Sequence, residues 1–255
     1  MIHIDDTYIK DHLMGPNAAL MLQELLEVSG LCERRSFGSS GPCERESLET
    51  LGLRRQGLSL ICDLGCGKGL TSLLLADRTG AEVWACDLWV DVEENQAEFN
   101  RLGYGDKVRA FKADATETAF PEEHFDALVS VDSYHYFAHG EGDLDRYARM
   151  VKPGGKILLC FPGFVRSLDD AMMEVLGLSW SREDMELIWS IDQWRSLWEK
   201  VTTVSIDDMF AMECFDQVWN DWLSCDNEYA ISDRAAMDAG GRDLMILIGA
   251  VLTKL

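Results

Sequence analysis

Three glycines at alternate positions, Gly65, Gly67 and Gly69, follow an apolar run and precede a helical pattern, with Asp63 just before them and Asp87 ending the next apolar run. Glycine lets a backbone take up positive φ and come close to a ligand. A carboxylate at a strand end can accept short charge-assisted hydrogen bonds from a ligand. The chemistry this suggests is capture of a small molecule where a strand turns into its helix. A dinucleotide fingerprint would need a glycine where Leu70 stands. A phosphate loop would need Gly-Lys-Ser/Thr after four residues, which Lys68 followed by Gly69 does not supply. Further on, "SVDSYHYFAH" (130–139) clusters Asp132, Tyr134, His135, Tyr136 and His139. His135 is the candidate general base, with Tyr134 beside it, because an unperturbed imidazole titrates near operating pH.

These residues need a scaffold. The runs "LSLICDL", "AEVWACDL", "VRAFKAD", "FDALVSVD" and "KILLCFPG" read as strands, separated by helical stretches such as "LDRYARMV". Such alternation predicts an α/β fold, a mostly parallel sheet with helices on both faces. The last third predicts a helix over 191–200, a strand over 201–210, a helix carrying Phe215, Val218, Trp219, Trp222 and Leu223 on one face, and a final strand over 244–255. Near the start, Leu20 to Val28 reads as a helix behind Gly15, Pro16 and an Asn17 cap. Ser29 to Gln56 is polar and aperiodic, and reads as a surface insertion.

Asp63-x-Gly65-x-Gly67-x-Gly69 after an apolar strand resembles motif I of the class I S-adenosylmethionine-dependent methyltransferases. Asp87, "KADAT" around Asp114, and "MVKPGGKILL" follow in that family's order. The resemblance covers roughly Leu58 to Pro162. The whole-chain pattern is also similar to the cyclopropane-fatty-acid-synthase-like, small-molecule branch. The resemblance implies a Rossmann-like seven-stranded sheet, with an N-terminal lid helix and a helical insertion before the last strand. It divides the chain into a lid and insertion (1–56), a cofactor core (57–165) and acceptor-side elements (166–255). It also implies S-adenosyl-L-methionine as cofactor and S-adenosyl-L-homocysteine as product. Asp63, Gly65, Cys66, Gly67, Asp87, Leu88, Asp114, Ala115 and Asp132 would hold the cofactor, Asp87 by both ribose hydroxyls and Asp114 at the adenine. Tyr8, His12, Gly15 and Asn17 in "TYIKDHLMGPNAAL" resemble the lid and would border the cofactor or the acceptor.

A net charge of −22 argues against nucleic acid and against stable binding to anionic membranes. The N-terminus lacks the basic and apolar regions of a signal peptide, so a cytoplasmic enzyme is expected. The eight cysteines are scattered without a metal-binding spacing. Cys62, Cys66 and Cys86 read as small core fillers. From Val201 to Asp233 there is no Lys or Arg. Trp222, Asp226, Glu228 and Tyr229, with Tyr136, are therefore the expected acceptor side, suited to a neutral or cationic small molecule by charge and cation–π contact. The reading is a small-molecule methyltransferase, with a homodimer allowed. The rival is a noncatalytic module that binds the nucleoside to regulate or scaffold a partner.

Overall fold

The computed structural model describes residues 4–31, 58–117 and 120–255, so most of the polar stretch 29–56, with Cys32 and Cys43, lies outside the described residues. The chain opens with α1 (Asp6–His12) and α2 (Ala18–Val28), the second capped by Asn17, whose side-chain oxygen accepts from the N–H groups of Ala19 and Leu20. Then come β1 (Leu60–Leu64), α3 (Leu70–Thr79), β2 (Glu82–Asp87), α4 (Val92–Arg101), β3 (Val108–Lys112), β4 (Phe125–Val131), α5 (Asp143–Met150) and β5 (Val151–Phe164). The remaining elements are α6 (Asp170–Leu176), α7 (Arg182–Glu186), α8 (Ile191–Trp198), β6 (Val204–Ala211), α9 (Phe215–Leu223), α10 (Glu228–Asp238) and β7 (Met245–Lys254).

Among the described residues these strands form one seven-stranded sheet in the order β3-β2-β1-β4-β5-β7-β6. Neighbours from β3 to β5 are parallel, and β7 runs antiparallel to both β5 and β6. The central strands are continuous apolar runs because helices cover both faces. On one face Leu22 and Leu25 of α2 share a core with Leu73, Val83, Trp219 and Trp222. On the other, Tyr134, Tyr147, Phe161, Trp194 and Trp198 form a buried aromatic layer. Strand order reverses between β1 and β4, and a crevice opens there at their carboxyl ends, where ligands bind in open α/β sheets. The helices expected near the acceptor are α6 to α8 between β5 and β6, and α9 and α10 between β6 and β7. Among the described residues no helix is long and apolar enough to cross a membrane.

Candidate active site

The turn from β1 into α3 is held by backbone contacts. Gly65 and Cys66 both donate their N–H to the carbonyl of Cys86, at 2.8 and 3.1 Å. Gly69 has φ of +79°, and a Cβ there would stand 2.4 Å from the ring of the buried Phe99. No other residue type fits that position without moving the core. Gly67, at φ +53°, is pinned on both sides: its N–H donates to Asp87 Oδ2 at 2.8 Å and its carbonyl accepts from Asn95 Nδ2 at 2.9 Å. Asp87 also accepts from the N–H groups of Trp89 and Val90 through Oδ1, at 2.8 and 2.9 Å. The end of β2 and the glycine loop are thereby one rigid unit.

Above this unit lies a cavity of about 340 Å³, within the usual range for small-molecule sites. Its floor is Gly65 to Lys68, its sides are Asp87 to Trp89 and Ala113 to Thr116, and Val131 to Ser133 close the far end. His12 to Pro16, between α1 and α2, form the roof, and Tyr136 with Phe137 complete the wall. Trp89 and Tyr136, both exposed at the rim, meet edge to face with ring centroids 5.8 Å apart. The roof is tied down by Asn17, whose amide donates to Asp221 Oδ2 of α9 at 2.7 Å.

Of the expected cofactor residues, Gly65, Cys66, Gly67, Asp87, Leu88, Asp114, Ala115 and Asp132 all line the cavity. Asp114 accepts from the hydroxyl and the N–H of Thr116, and these bonds hold its carboxyl below the usual range. Asp63 does not reach the cavity. It is fully buried and accepts from Thr71 Oγ1 and Ser72 Oγ at 2.6 Å each, bracing the first turn of α3. Burial without a cation pushes its carboxyl up to about 6 despite those two donors.

The expected catalytic pair lies elsewhere. Tyr134 and His135 are absent from the cavity wall and buried, Tyr134 stacked on Phe161 inside the aromatic layer. Burial, with His139 nearby, pushes the His135 imidazole down to about 3, so it stays neutral and is a poor proton acceptor. The step after β4 is a short 3₁₀ turn, Tyr134–Tyr136, which sends these two side chains into the core and only Tyr136 outward. In the lid, His12 lines the cavity while Tyr8 stacks on His12 at 3.7 Å behind it. Asn17 is spent on its cap and on Asp221.

The expected aromatic and acidic acceptor surface also falls away from the cavity. Trp222 is buried in the core and donates its indole N–H to Asp233 Oδ2 at 2.8 Å. Asp226 is fully exposed, and Glu228 and Tyr229 open α10 on the surface. Cys62 and Cys86 are core fillers, both fully buried with sulfurs 3.9 Å apart. Met14, Lys68 and Trp89 line the cavity unforeseen. Trp89 carried a signal, an aromatic two residues beyond a strand-end carboxylate; Met14 carried none.

The family described as "Methyltransferase domain" matches residues 62–159. A demethylmenaquinone methyltransferase of Clavibacter sepedonicus is 35% identical over 102 residues, covering 39% of this chain and 40% of that protein. The methyltransferase GfsG of Streptomyces halstedii is 27% identical over 145 residues, covering 55% of this chain and 51% of the other. The matches therefore span about half or less of these relatives' length. Among solved structures, Haemonchus contortus phosphoethanolamine N-methyltransferase 2, in complex with S-adenosyl-L-methionine, superposes with a TM-score of 0.69 at 15% identity, over 98% of this chain and 58% of that one. Over residues 62–159 the sequence match, the strand order and the glycine loop agree on a methyltransferase domain.

Proposed function

We propose that this chain transfers a methyl group from S-adenosyl-L-methionine to a small-molecule acceptor that is neutral or cationic. The observation that carries the reading is the single cavity in which the glycine loop, the end of β2, Ala113 to Thr116 and the end of β4 all face one another beneath the lid. The cofactor fits this cradle, since Gly67 leaves the loop's backbone bare and Asp87 stands fixed beside it. Three of the roughly four acceptor positions of the Asp87 carboxylate are filled by backbone N–H groups. It would therefore offer one full hydrogen bond to the ribose and share a second, rather than grip both hydroxyls equally.

When bound, the cofactor supplies a methyl group made electrophilic by a sulfonium. Asp114 and Ala115 would hold the adenine end, and Met14, Trp89 and Tyr136, exposed at the rim, would close over the bound cofactor. Methyl displacement needs alignment and a dry site more than it needs acid or base. A proton acceptor matters only when the nucleophile carries a proton. Calorimetric titration with S-adenosyl-L-methionine and S-adenosyl-L-homocysteine tests the first half of the reading. Release of S-adenosyl-L-homocysteine with fractionated metabolites tests the second; tight binding with no turnover of any fraction would favour a noncatalytic module instead.

A further inference from the structure

Asp132 follows β4 directly with φ of +56°, a left-handed backbone that Asp and Asn tolerate better than most side chains. Its N–H donates to the carbonyl of Cys160 on β5 at 2.7 Å, which fixes the turn and sets the side chain in the cavity wall. The roof leaves room for it: a Cβ on Gly15 would come within 2.3 Å of Asp132 Oδ2. Among the described residues no hydrogen-bond donor reaches the carboxyl. The groups that face it are Asp233 from α10, Tyr136 from the turn after β4 and Cys160 from β5. Lys68 and His12 line the wall from the glycine loop and the lid. Burial, then the facing Asp233, push the Asp132 carboxyl up to about 8. The aromatic faces of Trp89 and Tyr136 stand on the same wall.

We propose that Asp132 is the charged anchor of the acceptor subsite, and that the acceptor is an aliphatic amine that enters as its ammonium ion. This rests on the methyltransferase reading above. Once Asp132 is ionised, an anion would face two carboxylates at that end, Asp132 and Asp233. An ammonium ion ionises Asp132, pairs with it and gains cation–π contact at the rim. The seated ammonium then passes one N–H proton to the carboxylate. The freed nitrogen lone pair forms the new N–C bond as the S–C bond breaks, and that bond's electron pair stays on sulfur. The product leaves as a cation, and the proton on Asp132 returns to solvent.

The test uses tetramethylammonium, which cannot itself titrate, added to the protein saturated with S-adenosyl-L-homocysteine. Its affinity should rise about tenfold per pH unit below pH 8 and level off above, because only ionised Asp132 binds it. At pH 7 binding should release a proton, seen as a calorimetric heat that depends on the buffer's ionisation enthalpy. Asp132→Asn, which suits the left-handed backbone, should abolish both effects without weakening S-adenosyl-L-homocysteine. Asp233→Asn should move the rise to lower pH. Affinity independent of pH, or unchanged in Asp132→Asn, overturns the inference. So does a loss of S-adenosyl-L-homocysteine affinity in that variant, which would assign Asp132 to the cofactor. Failure of the wild-type protein to bind S-adenosyl-L-homocysteine would instead strike the methyltransferase reading itself.

Discussion

Asp87 Oδ2 accepts the N–H of Gly67 at 2.8 Å, so the residue expected to hold the ribose also holds the loop beneath the cofactor. Asp87→Asn should therefore do two kinds of harm. It replaces a charge-assisted acceptor with a neutral amide, and that amide's NH₂ cannot accept from Gly67 if its oxygen keeps Trp89 and Val90. Cofactor affinity should fall by about 1.5–3 kcal/mol, read by calorimetry, with a smaller fall in melting temperature. An unchanged dissociation constant would remove Asp87 from the site.

Gly67→Ala and Gly69→Ala should differ although both glycines have positive φ. A Cβ at Gly67 would press on Met14 Sδ at 2.8 Å, and Met14 is half exposed and free to swing aside. The cost is then mainly the left-handed backbone, about 1–2 kcal/mol, with a loosened roof. A Cβ at Gly69 would meet the fully buried Phe99 ring at 2.4 Å. Overpacking adds about 1–3 kcal/mol there, so Gly69→Ala should be the less stable protein in urea denaturation. The reverse order would show that Phe99 repacks easily.

His135 should matter to stability against acid rather than to the rate. Its imidazole is pushed down to about 3 in the fold, whereas the unfolded chain takes up a proton near 6.5. The unfolded state thus binds more protons across that window, and stability falls as pH drops from about 6.5 towards 3. The slope for one such group approaches 1.4 kcal/mol per pH unit. His135→Gln should flatten the acid limb of stability against pH while leaving the pH–rate profile unchanged. A lost limb in the rate profile would restore His135 as a base.

Salt dependence should not follow the exposed charges of α10. Asp226→Asn and Glu228→Gln lie on the surface away from the cavity, and the slope of acceptor affinity against ionic strength should be the same with and without them. Trp222→Phe should cost about 1–3 kcal/mol of stability, because it removes the indole N–H that Asp233 Oδ2 accepts and leaves Trp180 as the remaining indole partner of that half-buried carboxyl. A changed salt slope in the two charge variants would return that surface to the acceptor's path.

The sheet and the cofactor cradle were legible because they rest on local signals. Seven apolar runs became seven strands, and the spacing of Gly65, Gly67 and Gly69 reported a backbone requirement that only glycine meets. The acceptor side was harder to read. The periodicity of Phe215, Trp219 and Trp222 records that α9 has a buried face, which is equally true of a helix beside a ligand and of one in the core. Whether His135 faces inward depends on where the single 3₁₀ turn Tyr134–Tyr136 begins after β4, and residue type does not encode that. The helices α6, α7 and α10 had readable starts in Asp169, Ser181 and Asn227, each accepting an N–H inside the first turn. The short lengths of α6 and α7, and the weak periodicity of α10, hid them.

The antiparallel insertion of β7 between β5 and β6 bears on the order of assembly. Strands β1, β2 and β3 pair with their next neighbours in the chain and β4 with β5, but Lys156 of β5 must wait for Thr253 of β7. Loop closure over so long a span is entropically slow, and contacts of that kind usually form late. The nucleotide half would then gain order while the edge of β5 still lacks its neighbour, leaving a transient strand edge open to wrong pairing. Pulsed hydrogen exchange during refolding should show amides of β1 and β4 protected before those of β6 and β7. Ligand added at that stage would meet the glycine loop and Asp87 before Asp221 of α9 ties down the roof through Asn17.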